Sequence, residues 1–163
     1  MSKVVKRSDK VAFYGVLDGE NVRYHRMKGF TEMTVSKNPK EYARQYIDEA
    51  FERTDVVGYA TAISYGFDQH TDDCVHSDLV AICENELLAS DAVRSIVIVD
   101  FTSKGEAGAY AAKKRDFAVI PDGEGDSMDA YTYSGNFKTA GETVFGTATS
   151  EDGWETCMFT EKL

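Results

Sequence analysis

Period-two alternation of bulky with small or polar residues runs through most of the chain, the pattern of half-buried β-strands. In YATAISYGF, Tyr59, Thr61, Ile63, Tyr65 and Phe67 fall on one face, with Ala60, Ala62, Ser64 and Gly66 on the other. In YTYSGNFK, Tyr131, Tyr133, Gly135 and Phe137 face one way. Thr132, Ser134, Asn136 and Lys138 face the other, which should be wet. SIVIVDF (95–101) is apolar at consecutive positions and predicts a strand covered on both faces. Further strands are predicted at 10–16, 22–27, 30–36, 41–47, 110–120, 142–149 and 154–160. In GETVFGTATSEDGWETC, Asp152-Gly153 between two such runs predicts a hairpin turn.

One stretch has helical periodicity. HSDLVAICENELL puts Leu79, Ile82, Cys83 and Leu87 near one stripe, which predicts a helix over about 77–88. Ser77 is its expected N-cap, and Asp78 suits the positive end of the helix dipole. The segment 48–58, DEAFERTDVVG, breaks the alternation and mixes Phe51, Val56 and Val57 with charges. It is expected to be a long loop with apolar anchors; the alternative is a strand extension folded over the core. The predicted fold is mainly β: a sandwich or partial barrel with one short flanking helix. It forms a single domain over 1–163, with an N-terminal arm at 1–9 and the sandwich over 10–160.

Charge refines this picture. The 163 residues carry a formal net charge of -10, unevenly spread. Residues 1–28 hold seven Lys/Arg against three Asp/Glu, whereas residues 61–100 hold Arg94 alone against eight acids. A basic head and an acidic body suit head-to-tail pairing of copies. The acidic balance disfavours bulk binding to nucleic acid or anionic membrane. No apolar run is long enough for a membrane-spanning helix, and the N-terminus lacks the apolar region of a secretory signal. Cys74, Cys83 and Cys157 are odd in number and fit free thiols in a reducing compartment.

Candidate chemistry is sparse. His70, Cys74, His76 and Cys83 include zinc-ligand types, but their spacing matches no finger or ribbon, and Cys83 falls on the apolar stripe. No metal or other cofactor is expected there. Asp122, Glu124, Asp126 and Asp129 hint at a calcium loop, yet Ser127 and Tyr133 stand where the EF-hand pattern needs Gly and Glu. A solvated acidic turn is the better reading. Asp68 and Asp100 sit at strand ends without a paired catalytic carboxylate. No nucleophile triad or phosphate loop is present, so an enzyme is not expected. MKGFTEM and YAAKKRDF place basic residues beside aromatic ones, which strand edges guarded by Lys and Arg explain as well as a nucleic-acid surface does.

Taken in order, VVKRSDKVAFYGV, YHRMKGFTE, NPKEYARQYIDE, RTDVVGY, ISYGFD, RDFAVIPDGEGDSMDAYTYSGNFKTAGE and GTATSEDGW cover most of the chain. Together they resemble the major tail tube proteins of long-tailed bacteriophages and prophages of Gram-positive hosts. The resemblance implies a β-sandwich with a flanking helix, assembled into hexameric rings whose inner sheets join and which stack into a tube. The implied partners are further copies of the chain, a tape-measure protein, and tail tip and tail terminator proteins. DNA would be in transit only, without sequence specificity, and no membrane anchor is implied. The implied location is the virion, with assembly in the host bacterial cytoplasm. An immunoglobulin-like C-terminal domain, carried by some relatives, is not expected because the sequence stops at Leu163. The family has no catalytic residues.

On that footing, Val4, Val5, Lys6 and Arg7 of the arm and Phe51, Val56 and Val57 of the loop are the expected inter-ring contacts. Thr132, Ser134, Asn136 and Lys138 are the expected lumen face, with a lumen of zero or negative net charge. The 142–160 hairpin is expected to finish a sheet that neighbouring subunits extend. The competing reading is a stand-alone sandwich binding carbohydrate or peptide, a phage decoration or adhesion module.

Overall fold

The computed structural model describes residues 2–103, 105, 108–125 and 127–162. Asp126 of the acidic turn, Met1 of the arm and Leu163 lie outside the described residues. Eleven strands and one α-helix are present among the described residues. In chain order they are β1 (Lys10–Asp18), β2 (Asn21–Arg26), β3 (Phe30–Ser36), β4 (Pro39–Arg44), β5 (Arg53–Tyr59), β6 (Ala62–Asp68), α1 (Cys74–Glu84), β7 (Val93–Asp100), β8 (Tyr110–Glu124), β9 (Thr132–Thr139), β10 (Val144–Thr149) and β11 (Thr156–Glu161). The mainly β fold with one helix, read from the alternation, is what the chain adopts.

Nine strands follow the order β10-β11-β2-β1-β7-β8-β9-β6-β3, and β10 also pairs with β8. That extra pairing closes six strands into a barrel, and β9, β6 and β3 continue as an open flap. The hinge between barrel and flap is β8. Its first residues, Tyr110–Lys114, pair with β10. Its later residues, from Phe117 to Glu124, pair with β9. One strand of 15 residues therefore serves two sheets.

Two cores follow from the pleat. Val11 and Phe13 of β1 and Val97 and Val99 of β7 point into the barrel with Ala112, Ala148 and Cys157. Tyr14 of β1 and Ile96 of β7 point the other way, into a second core under α1 with Ile63, Tyr65, Phe67, Leu79, Ile82 and Phe137. The consecutive apolar run of β7 is thus explained: alternate residues feed two different cores.

The helix starts at Cys74 rather than Ser77, because Asp73 is the N-cap and its carboxylate accepts from the backbone N–H of Val75 and His76 at 2.9 and 3.2 Å. Ser77 instead donates its hydroxyl to the Asp73 carbonyl. The helix ends at Glu84, short of 88. Glu86 takes a left-handed φ of 48°, and the N–H groups of Glu86 and Leu87 bond to Cys83 and Ile82 carbonyls, a Schellman stop. Asp78 accepts from Tyr14 Oη at 2.5 Å and Arg94 Nε at 2.9 Å, fastening α1 to β1 and β7.

The segment 48–58 is not one long loop. Residues 45–52 form the loop, and β5 begins at Arg53 and pairs with β4 from Arg44 back to Pro39. Thr54, Val56 and Val57 favour the extended chain, and charges pair across and along the hairpin: Arg44 with Asp55 at 2.6 Å, Arg53 with Glu49 at 2.7 Å. The hairpin continues the β3–β6 pair beyond a kink, where Asn38 has φ 45° and its side-chain amide donates to the Ala60 carbonyl. It is a strand extension, but it does not fold over the core. Tyr59 lies beyond the kink and is 61% exposed, not aligned with the buried Thr61 and Ile63.

The terminal hairpin also departs from expectation. β10 pairs with β8 and β11 with β2, so it closes this chain's own barrel instead of offering an edge to a neighbour. Gly146 is required there: a Cβ would lie 2.0 Å from the Thr160 carbonyl oxygen. In the turn, Asp152 accepts from the Thr156 N–H and hydroxyl, which hold its carboxyl down at about 2. Trp154 has φ 69° and lodges between Phe101 and Tyr110, with ring centroids 4.9 and 5.6 Å away, over Phe13.

Candidate assembly surfaces

Apart from the short β2–β11 seam, two stretches of unpaired β-structure stand out among the described residues. β3 is the outer strand of the flap. The β4–β5 arm is a separate two-stranded sheet. Its strands carry large apolar groups on both faces: Tyr42, Val56, Val57 and Tyr59 are all exposed. Tyr46, Ile47 and Phe51 are exposed on the loop at its tip. An isolated two-stranded hairpin is marginal in water, and a cluster of this kind marks a contact surface. Arg44 organises the tip end, with its guanidinium 5.1 Å from the Tyr42 ring centre and its Nε donating to Tyr46 Oη.

The predicted contact residues divide in two. Phe51, at 82% exposure, and Val56 and Val57 belong to the arm. Val4, at 89% exposure, and Val5 belong to the N-terminal segment. That segment is not wholly without partners. Arg7 donates to the Lys10 carbonyl at 2.7 Å and the Met33 carbonyl at 3.3 Å, and a 3-10 turn spans Arg7–Asp9. Lys6 is exposed beside it. The exposed tyrosines of the arm escaped sequence reading, although Tyr42 and Arg44, two residues apart in a strand, share a face.

The predicted lumen residues do share one face of β9. Thr132, Ser134 and Asn136 are half-buried and Lys138 is exposed. Ser64 of β6 donates to Asn136 Oδ1 at 3.3 Å. Lys138 lies opposite Ala62, the first residue of β6, so this polar row ends at the root of the arm.

The histidine and cysteine group has structural duties. His76 is fully buried and stacks on Phe67 at 4.5 Å. Its Nε2 lies 2.6 Å from the Lys28 carbonyl, to which it donates, and its Nδ1 accepts from the His70 N–H at 3.0 Å. Both ring nitrogens are thereby occupied. Cys83 packs against the core under α1. Among the described residues no group of three His, Cys, Asp or Glu side chains is placed to hold a metal. All three cysteines are free thiols, and burial in the barrel pushes Cys157 up to about 12. No described helix is long and apolar enough to cross a membrane. Comparison with protein-family models and with curated proteins returns no match to this chain.

Proposed function

We propose that this protein is a structural subunit that assembles with copies of itself into stacked hexameric rings, the tail tube of a long-tailed bacteriophage. One observation carries the reading: a closed, self-sufficient barrel bears a projecting hairpin with seven large exposed apolar residues, from Tyr42 to Tyr59. An exposed apolar surface of this size is costly in water, and a repeating assembly covers it once per subunit. The order of sequence stretches that resemble tail tube proteins supports the same reading, as does the division into basic head and acidic body. Partners on this reading are the tape-measure, tail tip and tail terminator proteins, and the chemistry is conduction rather than catalysis.

Mass photometry and negative-stain microscopy over a concentration series test it. Rings and tubes are expected; a strict monomer at high concentration, with no tubes even on tail tips, would sink it. The polar row of β9 is the proposed lumen wall. Thr132→Lys with Asn136→Lys should leave tubes intact and slow DNA passage, with partial rescue by salt; passage at the normal rate rejects that face as the wall. The exposed tyrosines of the arm also favour a second reading, a monomeric binding module for carbohydrate or peptide. Glycan binding by a persistent monomer, lost in Tyr42→Ala, would favour it.

A further inference from the structure

A cleft of about 600 Å³ opens between the N-terminal segment, β1, β7, β8 and β3. Its floor is apolar: Ala12, Met33, Val35 and Ile98. Its rim is cationic: Lys6, Arg7, Lys10, Lys37 and Lys113, brought from three separate stretches of the chain. Among the described residues none of these five forms an ion pair. Lys113 shows the consequence. Its ammonium is held below its usual range by burial first and then by repulsion from Lys37, Lys10 and Arg115. Asp100 lies across from Lys10 and Asp9 caps the turn beside Lys6, but five cations still outnumber these acids, and a net positive rim over an apolar floor fits an occupant that is both acidic and apolar.

The chain carries such a segment. The tip of the β4–β5 arm reads Tyr46-Ile47-Asp48-Glu49-Ala50-Phe51-Glu52. Ile47 and Phe51 are almost fully exposed, so the tip does not occupy its own cleft. The six residues of β4 hold it roughly 20 Å from the kink. We propose that the acidic, apolar tip of one copy docks in the basic cleft of the next. The inference rests on the self-assembly reading and names the pairing that drives it. Each copy offers one tip and one cleft, so the contact is head-to-tail and propagates. It also joins the two groups of predicted contact residues: Val5, Lys6 and Arg7 are one wall of the cleft, and Phe51 belongs to the knob that fills it.

Charge reversal tests the pairing in full-length protein. One variant carries Asp48→Lys and Glu52→Lys, the other Lys37→Glu and Lys113→Glu, with circular dichroism confirming the fold of each. Alone, each should need at least about tenfold more protein than wild type to assemble, because like charges now meet. An equimolar mixture of the two, or one chain with all four substitutions, should assemble within about threefold of the wild-type concentration. Restoration in either form supports the pairing. Assembly of either single variant at the wild-type concentration overturns it and leaves the cleft to an acidic partner of another kind; loss without restoration overturns it as well. If wild type itself never assembles, it is the self-assembly reading that fails, a result distinct from wild-type assembly that ignores the charge rule.

Discussion

The barrel and the β4–β5 arm are both antiparallel, both rich in aromatic and β-branched residues, and they differ in what lies across from each side chain. In the barrel, Phe13 is fully buried against Trp154. In the arm, Phe51 meets no core and stays exposed. The same residue type thus stabilises the monomer in one place and is available to stabilise an assembly in the other. Composition cannot separate the two roles; closure of the surrounding sheet does.

The largest expected contrast comes from deleting those rings. Phe13→Ala removes a buried aromatic from a closed barrel and should cost about 3–5 kcal/mol in chemical denaturation. Phe51→Ala should change monomer stability by no more than about 0.5 kcal/mol while weakening assembly. Equal losses in the two variants would erase the distinction. Glycines give the next contrast. Gly146→Ala forces a Cβ onto the Thr160 carbonyl and should destabilise the monomer by about 3 kcal/mol. Gly58→Ala in the arm meets only the Lys40 side chain, at 3.9 Å, and should be tolerated.

Thiol reactivity probes the barrel against the surface of α1. A thiol reagent should label Cys74 in the native protein and Cys157 only on unfolding, since the first is exposed and the second buried. The Cys157 thiol is raised from 9.0 to about 12, so the fold favours its neutral form. Its contribution to stability is full below pH 9 and lost as pH rises toward 12. Cys157→Ala should therefore flatten the alkaline limb of the stability curve; an unchanged limb would mean the thiol is hydrated. The smallest effect is expected in the barrel turn. Asp152 is depressed from 3.8 to about 2, so it supports the fold above 3.8 and ceases to as pH falls through 2. Asp152→Asn should lower Tm slightly at neutral pH, and the gap should close in strong acid.

Much of the barrel could be read from alternation because burial there is one-sided at each residue. SIVIVDF announced a strand covered twice, and β7 proved to stand between two cores. Of the arm, β4 was legible within the strand expected at 41–47, but β5 was not: Thr54, Val56 and Val57 sit among charges and neither face is buried, so no clear alternation marks it. The helix cap was misplaced by four residues because Ser77 and Asp73 are both good caps, and in the fold it is Asp73 that accepts from the first helical N–H groups. Val4, Val5, Phe51, Val56 and Val57 were legible as exposed apolar groups in two charged stretches. The cleft was not, since Lys37, just after β3, and Lys113, in β8, are far apart in sequence and meet only through the fold.

Barrel closure has a consequence for the order in which the subunit can be made. The seam between β2 and β11 is held by the pairs Thr156–His25 and Cys157–Tyr24, and beside it Lys28 meets Glu155 at 2.5 Å, 127 residues apart in sequence. During synthesis, β1 and β2 leave the ribosome early and then wait for almost the whole chain. Until β10 and β11 emerge, β2 and the start of β8 present bare edges, the state most open to mispairing. Such long-range closure is also intrinsically slow. The cleft rim and the arm belong to segments already made by then, so on the proposed pairing an unfinished chain presents both before its barrel is sealed. On the proposed self-assembly, translation speed near the end of the message then becomes a control on premature polymerisation.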